Sequence, residues 1–113
     1  MASDQNFVDF VVEQIRNAGE ITTKKMFGEY TLYADGKVFA LICDNKLYIK
    51  PSVAGRAYIG NVLEAPAYQG AKPSFLIAEQ IEDSDWLSGL VRVTLPELPI
   101  SLPKKKKSNK SKK

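Results

Sequence analysis

Between Met26 and Pro51 the chain reads MFGEYTLYADGKVFALICDNKLYIKP, three β-forming runs separated by two short polar breaks. Asp35-Gly36 is a strong hairpin signal, because a tight primed turn needs positive φ, which glycine adopts without steric cost. Asp44-Asn45 is a second, weaker one. The segment therefore predicts three consecutive antiparallel strands. Met26, Tyr30 and Leu32 alternate with Glu29 and Thr31, the pattern of a strand with one face on a core and one in solvent. Val38 to Cys43 is apolar on both faces, which predicts a central, more heavily covered strand. Leu47 and Ile49 then point one way and Lys46, Tyr48 and Lys50 the other, until Pro51 removes a donor.

Helical signals flank this block. Phe7, Phe10, Val11, Ile15 and Ala18 recur at helical spacing, with Ser3 as candidate N-cap, Asp4 in the first turn and Gly19 just past the end. A short helix is predicted from Ser52 to about Ile59, although Gly55 and Gly60 each disfavour helix by about 1 kcal/mol relative to alanine. APAYQGAKP has the proline and glycine content of a loop, and Ser74 to Gln80 suits a further strand. Asp83 or Ser84 can cap a last helix whose apolar stripe is Trp86, Leu87, Leu90, Val91 and Leu95, interrupted at Pro96. The expected order is α-β-β-β-α-β-α, an α+β fold over residues 1–98. Residues 99–113, linker followed by lysine and serine, carry too little apolar surface to offset the entropy of ordering, and are expected to be disordered.

With 113 residues, 44% of them hydrophobic, the chain suffices for one domain with a core that needs neither disulfide nor metal. It has no long apolar run and no export signal, so a cytoplasmic location without membrane association is expected. The net charge of +3 conceals a division. Lys104, Lys105, Lys106, Lys107, Lys110, Lys112 and Lys113 supply seven of the sixteen basic residues, leaving a body of nine basic against thirteen acidic. Any attraction to polyanions therefore resides in the last ten residues. Seven charges on an extended segment can neutralise several phosphates, giving weak, sequence-blind and salt-sensitive binding. The same lysines also read as a solubilising extension.

Histidine is absent, which removes the usual general base and excludes serine–histidine and cysteine–histidine nucleophiles. Cys43 is read as a small buried apolar residue, and Glu79, Glu82, Asp83 and Asp85 as helix-start acids favoured by the macrodipole rather than as a cation site. No cofactor, metal or catalytic residue is predicted. Gly28 is read as a bulge or a close approach. Tyr30, Tyr33, Tyr48, Phe27 and Phe39 read mainly as core or cross-strand pairs. Tyr48, between Lys46 and Lys50 on the outward face, is the one candidate for stacking on a nucleic-acid base.

The run KKMFGEYTLYADGKVFALICDNKLYIK, Lys24 to Lys50, with its Met-Phe-Gly start, Leu-Tyr before the Asp-Gly turn and Lys-Val-Phe-Ala-Leu after it, resembles the N-terminal domain of the TfoX/Sxy proteins. These are bacterial regulators of competence for DNA uptake. The likeness continues more weakly through AYQGAKPSF and the helix around Trp86. The resemblance implies a two-layer fold, an antiparallel sheet packed with helices, of the kind grouped with type III secretion chaperones. It also implies a non-enzymatic regulatory role with a protein partner in the transcription machinery or one of its regulators. Longer family members look like coactivators working with the cyclic-AMP receptor protein, and they carry a second helical domain; here only linker and lysines follow Pro99. A small chaperone-like domain that holds a partner segment is the second reading.

Overall fold

A computed structural model describes residues 4–26 and 29–99. Among these residues six strands form one antiparallel sheet: β1 (Ile21–Met26), β2 (Glu29–Ala34), β3 (Lys37–Cys43), β4 (Lys46–Ile49), β5 (Glu64–Pro66) and β6 (Pro73–Ile77), in spatial order β1-β2-β3-β4-β6-β5. Three α-helices among the described residues accompany it, α1 (Gln5–Ile15), α2 (Val53–Ile59) and α3 (Ser84–Thr94). The expected α+β class is what the chain adopts, with two strands more than the sequence pattern reveals. β1 is an edge strand, exposed from Thr22 to Lys25, so it lacks an alternating apolar signature. β5 is three residues long and ends on a proline, too short to leave any pattern.

Both hairpin dipeptides make primed turns, with φ of 53° and 82° at Asp35 and Gly36, and 53° and 57° at Asp44 and Asn45. Their side chains serve a second purpose. The Asp35 carboxylate accepts the Glu20 amide at 2.9 Å, and Asn45 Oδ1 accepts the Asp4 amide at 2.7 Å, so each turn fixes the start of a distant element. Leu32 pairs with Ala40 but Tyr33 with Val38, and the bulge leaves Phe39, which is fully buried, without a partner on β2.

The register places Tyr30, Leu32, Ala40, Ile42, Leu47, Ile49, Phe75 and Ile77 on one face of the sheet. There they pack with Val8, Val11 and Ile15 of α1 and Leu87, Leu90 and Val91 of α3, which makes two layers around one core. Polar ties fix the helix pair: Ser84 and Ser88 hydroxyls both donate to the Gln14 carbonyl, at 2.6 and 3.0 Å, and Gln14 donates to the Ile81 carbonyl. Asp83, as expected, caps α3 by accepting the Trp86 amide at 3.0 Å. Asp4 stands before α1, while Ser3, Phe27 and Gly28 lie outside the described residues.

Candidate interaction surfaces

The outward face of the sheet carries Thr31, Leu41, Tyr48 and Leu76 in one row across four strands, opposite the helix layer. Tyr48 does point outward, as its place in the strand predicts, but it is only 7% exposed. β4 is buried on both sides from Leu47 to Ile49, because it is an inner strand whose neighbours shield the ring. The face of Tyr48 is therefore not presented as a stacking platform. Tyr30 is core, its hydroxyl donating to Gln5, and Phe39 is core as well. Lys46 lies 3.7 Å from the Asp44 carboxylate, an exposed pair that partly offsets its charge.

Cys43 is buried next to this row, outside the cluster beneath the helices. Burial pushes its thiol pKa up, and the carboxylates of Glu29 and Asp44 push it the same way. A thiol so placed is a poor nucleophile. Among the described residues no group of three or more histidine, cysteine, aspartate or glutamate side chains is placed to hold a metal. No described helix is long and apolar enough to cross a membrane. The seven tail lysines, Lys104 to Lys107, Lys110, Lys112 and Lys113, lie outside the described residues.

One arrangement is invisible to motif reading. After α3 the chain makes a single 3-10 turn, Leu95–Glu97, that brings Glu97 to the start of α2. Its carboxylate accepts the Val53 amide at 2.9 Å and the Ala54 amide at 2.8 Å, while Ser52 Oγ accepts that of Gly55 at 2.8 Å. Three amides that a helix start leaves orphaned are satisfied together. The two backbone hydrogen bonds hold the Glu97 carboxyl below its ordinary pKa. Lys37 Nζ reaches from β3 to donate to the Leu95 carbonyl at 3.0 Å. An open cleft of about 380 Å³ lies between Glu97 and Pro51, Ser52, Val53, Arg56 and Phe75. Arg56, in the wall of this cleft, pairs with Glu64 and stacks over Phe75, its guanidinium 5.3 Å from the ring centroid.

α2 also rests closely on α3. Tyr58 lies across Gly89, donates to the Trp86 carbonyl at 2.9 Å and meets the Trp86 ring at 5.5 Å between centroids. A second, smaller cleft of about 240 Å³ runs between Ile59, Leu63, Leu76 and Ile77, with Glu79 and Gln80 at its rim. Leu63, at 59%, is among the more exposed large apolar residues.

The described body is a two-layer α+β fold with open clefts beside α2. Comparison with known proteins gives the family: the TfoX N-terminal domain matches residues 13–97, and the chain belongs to it. It is also 37% identical over 108 residues to an uncharacterized 12.7 kDa protein encoded in the trpE 5′ region of Spirochaeta aurantia. That similarity covers 96% of this chain and 94% of the relative.

Proposed function

We infer that this protein is a non-enzymatic regulatory module of the cytoplasm, whose body recognises a protein of the transcription machinery or one of its regulators. The lysine run adds loose contact with nucleic acid. The observation that carries this reading is membership of the TfoX N-terminal domain family across residues 13–97, which ends before the lysines begin. The mechanism is recruitment, with no bond made or broken. The body, at −4, repels phosphate on average while the last ten residues attract it, so protein recognition and nucleic-acid contact fall on separate parts of the chain. Removing the residues after Pro103 tests the division. DNA retention at low salt disappears and the melting temperature is unchanged; a truncated body that holds DNA as firmly as the whole chain refutes the assignment of the tail.

The second reading, a chaperone-like domain holding a partner segment, is favoured by the smaller cleft, where exposed Leu63 adjoins Leu76 and Ile77 at the C-terminal end of β6. A protein partner that remains on the full chain after nuclease treatment and high salt, and is lost on Leu63→Asp, supports it; a partner released by nuclease refutes it.

A further inference from the structure

We propose that Leu95–Leu98 is a clasp, closed by Glu97 on the first amides of α2 and by Lys37 on the Leu95 carbonyl, that fastens the root of the lysine-bearing segment to the body and opens as one unit. Three independent observations converge on these four residues. The Glu97 carboxylate spans two consecutive amides of α2, with one oxygen on each, from 44 and 43 positions away in sequence. The Lys37 ammonium, from β3, holds the carbonyl at the other end of the turn. Between the two holds, Leu95 and Leu98 pack partly buried against the core, and the Leu98 amide closes the turn on Leu95 at 3.0 Å.

Each hold is a charged group on a backbone partner, stronger than a neutral hydrogen bond; the Glu97 bonds are exposed, where water competes for them, and the Lys37 bond is part-buried. The turn runs on from α3, whose last bond joins the Leu95 amide to the Val91 carbonyl, and beyond that point only one internal bond and the two charged holds offset its ordering. Closure is thus all or none: the loss of one charged hold removes the constraint that keeps the other in reach. Of charged groups around the cleft, Arg56 lines the same wall from α2 but is engaged by Glu64, and Lys37 stands on the β3 side. When the clasp opens, the Val53 and Ala54 amides lose their acceptor and the partly buried sides of Leu95 and Leu98 become accessible. The end of the described chain is then no longer fixed. The inference does not depend on whether the lysines bind nucleic acid.

Amide hydrogen exchange on the full chain, read residue by residue, tests it. Glu97→Ala speeds exchange of Val53, Ala54 and Leu98 together by about ten-fold or more, while Ile42 and Ile49 in the sheet keep their wild-type protection. Glu97→Gln, which keeps a neutral acceptor, falls between the two. The discriminating variant is Lys37→Met, which touches none of the three amides directly: a clasp that opens as a unit speeds all three. Unchanged Val53 and Ala54 in Lys37→Met overturns the proposal, and so does a rise in Ile42 and Ile49 that matches theirs, because either result leaves no separate unit to open.

Discussion

Tyr58 and Gly89 show how one missing methyl group decides a helix contact. A Cβ on Gly89 would overlap the Tyr58 hydroxyl, so α3 accepts a residue that disfavours helix by about 1 kcal/mol in return for the close approach of that hydroxyl. Gly89→Ala displaces the ring and breaks its bond to the Trp86 carbonyl; in a Tyr58→Ala background the same substitution gains helix propensity instead. A double-mutant cycle read by urea denaturation gives a coupling of about 1–2 kcal/mol between the two sites. Cys43 is the opposite case, a residue whose burial was legible because it lies in an apolar run. Its raised thiol pKa means that labelling by a disulfide reagent near neutral pH is slow in the native protein and fast in urea. Rapid native labelling contradicts the burial. Capping and turn residues, Asp35, Gly36, Asp44 and Asp83, were readable because each acts on amides within three positions or through its own φ. Glu97 was not, because its partners lie more than forty positions away.

Elements divide along the same line. α1, α3 and the strands β2 to β4 carry apolar periodicities that survive in isolation, whereas β1 and β5 exist only because a neighbouring strand offers them a ladder. β1 leaves its outer edge with Lys24 and Lys25 exposed, the kind of residue that discourages further strands from adding. At α2 the structural device is the Glu97 carboxylate, and its pH dependence has a definite sign. The folded-state pKa lies below the ordinary value of 4.5, so the contribution to stability is complete above that pH and is lost as pH falls through the lower, folded value. A series of melting temperatures therefore shows wild type and Glu97→Gln converging as pH drops below about 4.5, with wild type the more stable above it. Parallel curves at all pH values contradict the assignment.

For the whole molecule, stability rests on a single core in which both layers meet. Leu32, on β2 and fully buried beneath the helices, is a direct probe. Leu32→Ala removes about 2–5 kcal/mol from unfolding free energy, and α1, α3 and the sheet lose structure in one transition by circular dichroism and tryptophan fluorescence, since Trp86 reports on α3. Two separate transitions contradict a single core. By itself the sequence determined the α+β class, the two primed turns, the inner position of β3 and the separation of an acidic body from a basic end. All of these follow from local chemistry: dihedral preference, side-chain period and net charge are properties of neighbouring residues. The tertiary structure alone decided that Tyr48 is shielded, that β1 and β5 complete the sheet, and that Glu97 closes on α2. Those outcomes depend on which distant segments share a surface, and a hydrogen bond or a covered ring across forty residues leaves no periodic trace in the chain.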